Sequence, residues 1–416
     1  MLYWQLGSWL RSFRFADAFA ARKGCSIRSI AIIGGGPAGA ICGERLAREG
    51  FDATIYDEHL AWEKPCGGGL TQKAIAAFPF LLSSPQPKKH ISDVELIASD
   101  GRRAKFTLDA PIVIYARRVL NALLLDRARA AGCEVVQARV ARLDTSGTNV
   151  RLEVGGQWIE ADFAAIAAGA RNSLLPEAQN LPPEDLELTL GYFLPREDSR
   201  LRIKFVKGLE GYLWSFPRNG HLSVGICANM AKHATRELRE LLHAFIGAER
   251  MDLTGAELYS HILPSPRRDT LRKRAVVGKN WALVGDAAAW VDPVTGEGIY
   301  YAMRSGQILA ESLIDGVPDA YPARIQSAFR DELERAAKLS PMFYHGKFLG
   351  GAVTTRMIAF ARHSATFRQM LADVFAGSQS YRTLKARLWG QLGVTLLESA
   401  ESVLRSRAQS PVKAEA

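Results

Sequence analysis

Cysteine is scarce in this 416-residue chain: Cys25, Cys42, Cys66, Cys133 and Cys227 are all it has. The count is odd and no CxxC pair occurs. That excludes a disulfide scaffold and a cysteine-built metal centre, and it points to free thiols in a reducing compartment; no metal is expected. No apolar run reaches the ~18–20 residues that a membrane-spanning helix needs. Recognisable nucleic-acid-binding motifs are missing as well. Residues 1–27 mix aromatics with Arg and Asp and lack the continuous apolar core of a signal peptide. They read as an N-terminal extension or as a short interfacial segment. The expected location is the cytoplasm, with a membrane-peripheral position as an option. Acidic residues are outnumbered, 43 against 53 Lys and Arg, for a net charge of +10. Such a surplus suits an anionic partner, a bilayer surface or a diphosphate-bearing substrate, better than a neutral one.

What is present is ordinary in bulk. Hydrophobic residues make up 48% and charged residues 23%, the composition of a globular protein, and the length suits two domains. The chain is organised around Ser29–Ile33, an apolar β run, followed by Gly34-Gly35-Gly36-Pro37-Ala38-Gly39 and a segment with helical spacing. Gly34, Gly36 and Gly39 fit the dinucleotide fingerprint. There glycine permits the tight turn, the approach of a pyrophosphate and close helix–strand packing. The phosphates would lie on free N–H groups at the helix start. A second strand, Ala53–Tyr56, ends in Asp57, placed to accept hydrogen bonds from a ribose.

Pro65-Cys66-Gly67-Gly68-Gly69 forms a loop whose backbone can lie flat against a ligand. Residues 91–109 alternate as a hairpin about Asp100-Gly101, which is foreign to a parallel sheet and opens a second, antiparallel subdomain. A helix follows from Arg117 to Ala131, then a strand to Val136 and short β runs over 138–165. Residues 186–228 read as four strands with Asn219-Gly220 as a hairpin turn, the floor of a substrate domain. A helix over 235–248 and a strand over 258–263 lead back. A second landmark is the strand Trp281–Val284 running into Gly285-Asp286-Ala287-Ala288, then Asp292-Pro293-Val294-Thr295-Gly296-Glu297-Gly298-Ile299 and a helix to about Asp315. A carboxylate at such a strand end suits a ribityl hydroxyl, and glycines let a helix start approach a flavin carbonyl. The tail, 322–407, reads as helical throughout, with basic residues among aromatics. It is either a cap lying on an anionic bilayer or a lid over the substrate domain.

Taken together, Gly34–Gly39, Lys64-Pro65-Cys66-Gly67-Gly68-Gly69-Leu70, Gly285-Asp286-Ala287-Ala288 and 292–299 resemble the geranylgeranyl reductase family, within the FAD-dependent superfamily of para-hydroxybenzoate hydroxylase fold. Tyr212-Leu213-Trp214-Ser215-Phe216-Pro217 is similar to that family's YxWxFP substrate-domain motif. The resemblance covers about residues 28–315. It implies an α/β (α+β) architecture: a discontinuous Rossmann-like FAD-binding domain (28–90, 111–175, 270–320), an antiparallel substrate domain (91–110, 176–269) and a helical C-terminal region (321–416). It implies FAD on Gly34, Gly36, Pro37, Ala38 and Gly39, with Asp57 at the ribose and Arg117 at the phosphates. Gly285 and Asp286 would bind ribityl, and Pro293, Gly296, Glu297, Gly298 and Ile299 would lie at the isoalloxazine. Gly67, Gly68 and Gly69 would lie near the flavin ring, beside Cys66 as candidate acid. Tyr212, Trp214 and Phe216 would line an apolar tunnel for a prenyl chain.

The implied reaction is reduction of a carbon–carbon double bond in an isoprenoid lipid, with NADPH or a reduced carrier as electron donor; a monomer is expected. The alternatives on the same fold are an FAD monooxygenase or halogenase, and an electron carrier to quinone. Three departures from the family pattern stand out: Asn121 where the family has Asp, Ala168-Gly169 where the superfamily has Asp-Gly, and Cys227 in place of the second glycine after Gly225.

Overall fold

The computed structural model describes residues 27–171, 173–175 and 180–408. The extension expected at 1–27 lies, apart from Ile27, outside the described residues. The first unit is βαβ. Strand β1 (Ser29–Ile33) has apolar residues on both faces and is buried on both, as a central parallel strand requires. Helix α1 (Pro37–Arg48) starts on a proline, whose fixed φ suits a first helical turn. Strand β2 (Asp52–Tyr56) pairs parallel with β1.

The chain then leaves for a second sheet. The two-residue strand β3 (Gly69–Leu70) precedes α2 (Gln72–Ala77) and α3 (Phe80–Ser83). The hairpin β4 (Lys89–Ile97) and β5 (Arg103–Ile114) follows, with β3 pairing to the end of β5. Helix α4 (Arg117–Ala130) returns to the first sheet, where β6 (Glu134–Val136) pairs with β2. Strands β7 (Val140–Asp144), β8 (Val150–Val154) and β9 (Gln157–Ala161) form a separate antiparallel sheet, and β10 (Phe163–Ile166) lies beside β1.

The other strands of that second sheet are β11 (Leu186–Leu194), β12 (Leu201–Lys204), β13 (Gly211–Arg218), β14 (His221–Asn229) and, after α5 (Thr235–Ala248), β15 (Glu257–Pro264). After α6 (Arg268–Lys273), β16 (Trp281–Leu283) completes the first sheet. That sheet is parallel, in the order β16-β10-β1-β2-β6; the eight-stranded one runs β15-β11-β14-β13-β12-β4-β5-β3 and is antiparallel except at β12–β4.

Helix α7 (Ile299–Ile314) crosses α1 closely. A Cβ on Gly306 would stand 2.1 Å from the Ala38 carbonyl oxygen, so the crossing excludes any side chain there. Beyond it lie α8 (Tyr321–Ile325), α9 (Asp331–His345), a two-stranded ribbon β17 (Lys347–Phe348) and β18 (Gly351–Ala352), α10 (Val353–His363), α11 (Ala365–Ala376) and α12 (Tyr381–Ala408). The ribbon interrupts the tail expected to be helical throughout; Leu349 and Gly350, both at positive φ, make its turn.

The eight-stranded sheet is covered on both faces. Leu238, Leu242, Phe245 and Ile246 of α5 cover one, packing on Leu190, Leu194 and Leu222. On the other, α10 and α11 press Ile358, Phe367, Met370 and Leu371 against Leu108, Ile112 and Leu201. The C-terminal helices therefore form a lid, and between lid and sheet lies a cavity. No helix among the described residues is long and apolar enough to cross a membrane.

Candidate active site

The turn after β1 is built by exclusion. Gly34 has φ +112°, and a Cβ there would meet the Ala167 carbonyl oxygen at 2.4 Å; one on Gly39 would meet the Gly34 oxygen at 2.0 Å. At Gly36 the same construction meets nothing within 4 Å. Two glycines thus allow the chain to fold on itself, and the third leaves room for something else. The N-terminus of α1 carries no capping side chain, so its amides and positive dipole end face that room. Asp57 stands beside it: one oxygen accepts from the Gly35 amide at 2.6 Å and the other from the His59 amide at 2.7 Å.

The room continues as a cleft of about 690 Å3 lined by Gly34, Gly36, Pro37, Ala38, Asp57, Arg117, Gly285, Asp286, Gly296, Gly298 and Ile299 among others. Arg117 is 4% exposed. Its Nη2 donates to Asn121 at 3.4 Å, the bond that the family's Asp would also accept, while its Nε is buried without a partner. Asp286 pairs with Lys64 at 3.1 Å. Burial alone would raise the Asp286 carboxyl, but Lys64, with Arg117 and His261 nearby, holds it below its ordinary value. His261 is pushed down to about 4, by burial first and then by Lys64, so the cleft holds it as a neutral imidazole. An open glycine cradle, an uncapped helix start and an incompletely partnered buried guanidinium fit the phosphates of a dinucleotide such as FAD.

A second cavity, of about 470 Å3, opens on the eight-stranded sheet under the lid. Tyr212, Trp214 and Phe216 alternate along β13 and face it. The Trp214 ring covers Gly225, where a Cβ would stand 2.4 Å from the indole; the surviving glycine of the family pair is there for that reason. Tyr212 donates to the Thr295 carbonyl at 2.9 Å, and Phe216 lies against Gly67 and Gly69. Gly68, at φ +79°, turns so that a Cβ would strike the Tyr115 carbonyl oxygen at 2.3 Å. Cys66, Leu263, Gly296, Gly298 and Ile299 line both the cleft and the cavity. They form the wall where the two meet, and the Cys66 Sγ accepts from the Gly68 amide there at 3.3 Å.

The remaining expected residues fall elsewhere. Gly39 lies in the first turn of α1, packed on the Gly34 carbonyl and away from the cleft lining. Gly67, Gly68 and Gly69 line the cavity side. Glu297 points away from the cleft, held by Lys73 at 2.5 Å and by the Thr71 hydroxyl at 2.6 Å. The Pro293 carbonyl accepts from Ser340 of the lid at 3.1 Å, so this residue faces α9 rather than the cleft.

Two charged residues that carry much of the geometry escaped the sequence reading. Arg218, fully buried at the end of β13, bonds Glu63 and the Cys66 carbonyl. Glu63 in turn accepts from the Arg117 and Arg118 amides at 2.7 and 3.2 Å, capping α4 from a distant loop. Lys64, named in the glycine-loop motif without a role, is the partner of Asp286, and Lys73 was not singled out. Nor was Tyr381, whose hydroxyl ties the lid to Asp292 at 2.9 Å. The signal available was a string of charges inside an otherwise apolar, glycine-rich stretch. Among the described residues, no group of side chains could hold a metal ion.

Residues 32–68 match the NAD(P)-binding Rossmann-like domain. The chain is similar to a chloroplastic geranylgeranyl diphosphate reductase of Nicotiana tabacum, 28% identical over 322 residues, which covers 69% of this chain and 66% of the tobacco protein. It is similar, too, to a menaquinone reductase of Mycolicibacterium smegmatis, 26% identical over 374 residues, covering 77% and 85%. The crystal structure of a geranylgeranyl bacteriochlorophyll reductase-like protein from Thermoplasma acidophilum superposes with a TM-score of 0.71 at 19% identity, covering 87% of this chain and 98% of that one. The chain is an FAD-dependent oxidoreductase. This flavoprotein shares its fold with the flavin-dependent halogenase CmlS as well, at a TM-score of 0.60 and 22% identity, over 88% of this chain and 78% of that one. The fold is therefore common to reductases and to enzymes that use oxygen, and it does not choose between them.

Proposed function

We propose that this flavoprotein reduces carbon–carbon double bonds in an isoprenoid lipid, with NADPH or a reduced carrier as electron donor. One observation carries the reading: the cavity under the lid, walled by Leu201, Ile203, Phe205, Phe343 and Phe375, meets the flavin cleft at Cys66, Gly296 and Gly298. Reduced FAD, when bound, supplies a hydride. The chain's own residues do the rest. Apolar walls from sheet and lid keep water from the reacting carbons and hold an extended chain. Gly296 and Gly298 put no side chain into the shared wall, so cleft and cavity approach closely at those two positions. Cys66, on that wall, holds a proton at Sγ for the second alkene carbon.

Supporting contact with a bilayer is the outer side of α12, where Trp389, Leu397 and Leu404 are exposed among Arg382, Lys385 and Arg405. Mass spectrometry of host lipids with and without the protein tests the reading. Prenyl chains with added hydrogen only in its presence are expected, and fewer of them with Cys66→Ala. An unchanged prenyl profile, or a halogenated or hydroxylated product, contradicts it and returns the halogenase-type alternative.

A further inference from the structure

The cavity has two unlike halves. The apolar half has been described; the other is the inner face of β11 and β14, where Glu187, Thr189 and Cys227 sit side by side, Thr189 opposite Cys227 in the register. Thr189 is fully buried, and its hydroxyl has no hydrogen-bond partner. Glu187, two residues along the same face, is 7% exposed, and no Lys, Arg or His forms an ion pair with it among the described residues. A buried hydroxyl without a partner is costly, and so is a buried carboxyl that has Cys227 and Ser265 as hydrogen-bond partners but no cation. Both are explained if a ligand oxygen completes them.

The charges around the cavity narrow what that ligand is. Four acids line it, Glu187, Asp292, Glu297 and Glu332, against one cation among the described residues, Lys73. That cation is already taken, by Glu297 at 2.5 Å and the Tyr301 hydroxyl at 2.9 Å. Glu332, at the lid, accepts from Ser380 at 3.0 Å. Nothing in this lining neutralises a diphosphate, and like charges brought together without water between them repel strongly.

We infer that the cavity selects an uncharged isoprenoid, one bearing a carbonyl or hydroxyl oxygen that Thr189 and Glu187 receive at the sheet floor, and rejects prenyl diphosphates. The inference rests on the isoprenoid reading above and names the substrate class within it. Burial pushes the Glu187 carboxyl up to about 7, partly offset by Cys227 and Ser265, so near neutrality it is available as a donor to such an oxygen.

The test is binding to the FAD-loaded full chain by calorimetry in detergent, with three ligands that share one chain: geranylgeraniol, geranylgeranyl diphosphate and the matching hydrocarbon without oxygen. The alcohol is expected to bind at least ~10-fold more tightly than the diphosphate and about 5-fold more tightly than the hydrocarbon. Thr189→Val should shrink the second margin and keep the first, and Thr189→Val combined with Glu187→Leu should erase the second. At pH 8, where the Glu187 carboxyl is ionised, Glu187→Gln keeps the shape, removes the charge and should narrow the first. A diphosphate that binds as tightly as the alcohol, or a Thr189→Val protein whose preference for alcohol over hydrocarbon is undiminished, overturns the inference. Binding is read apart from turnover. A protein that ranks the ligands in this order and reduces none of them contradicts the reductase reading while supporting this assignment.

Discussion

Gly36 and Gly39 stand three residues apart and do opposite things. A methyl group on Gly39 has nowhere to go, because the Gly34 carbonyl oxygen occupies its place. A methyl group on Gly36 enters open cleft, and the backbone there, at φ −72°, accepts any residue. Gly36→Ala should therefore fold with its stability changed by no more than about 0.5 kcal/mol but purify without flavin. Gly39→Ala should lose about 1–3 kcal/mol or more, the range seen for overpacked interiors, whatever its cofactor content. Denaturation midpoints and flavin absorbance of the two variants check this. A Gly36→Ala protein with full flavin would show that the cleft is not the cofactor's place.

The fold opposes the ionisation of Glu187. Its carboxyl is raised from 4.5 to about 7 by burial, so between those values the folded protein holds a proton that the unfolded chain has released. Stability from this site therefore falls as pH rises through that window, and the full cost stands above it. Glu187→Gln should be stabilising at pH 8, by up to about 3 kcal/mol, and neutral near pH 4. Thermal melts of both proteins across that range measure it; a difference independent of pH would mean that the carboxyl is ionised throughout. The strand alternation of 186–194 showed in sequence which residues share a face. It did not show that the face floors a cavity, since that depends on a lid some two hundred residues later.

At the scale of elements, β1, α1, β2, the hairpin expected over 91–109 and the helix over 235–248 were legible, because each is written in local terms: apolar periodicity, glycine turns and alternation. The ribbon at 347–352 was not, being two residues a side within a helical stretch. Nor was the Glu63–Arg218 pair, whose partners meet only when β13 and the glycine loop are folded together. Helix α12 is the element whose outer side the fold leaves most apolar: Trp389, Leu397 and Leu404 are each more than 60% exposed. Replacing Trp389 and Leu397 together with Ser should cut cosedimentation with anionic vesicles several-fold, as lost apolar burial at an interface predicts, and leave flavin content intact. Equal sedimentation of variant and parent would remove the bilayer from the account.

The whole molecule is two sheets and a lid arranged around one shared wall. The parallel sheet supplies the cleft, the antiparallel sheet the cavity floor, and the C-terminal helices the roof. Cofactor chemistry was readable from Gly34–Gly39 paired with Gly285-Asp286. The meeting of cleft and cavity at Cys66, Gly296 and Gly298 is a tertiary fact, and the proposed reaction depends on it. The most direct test is anaerobic. FAD-loaded protein, reduced with dithionite freed of excess, is mixed with a neutral prenyl substrate while flavin absorbance is followed and the product is weighed by mass spectrometry. The account predicts that the flavin is reoxidised without oxygen, with one double bond saturated for each flavin. Flavin that stays reduced until oxygen is admitted, followed by a product carrying oxygen or halogen, would contradict it.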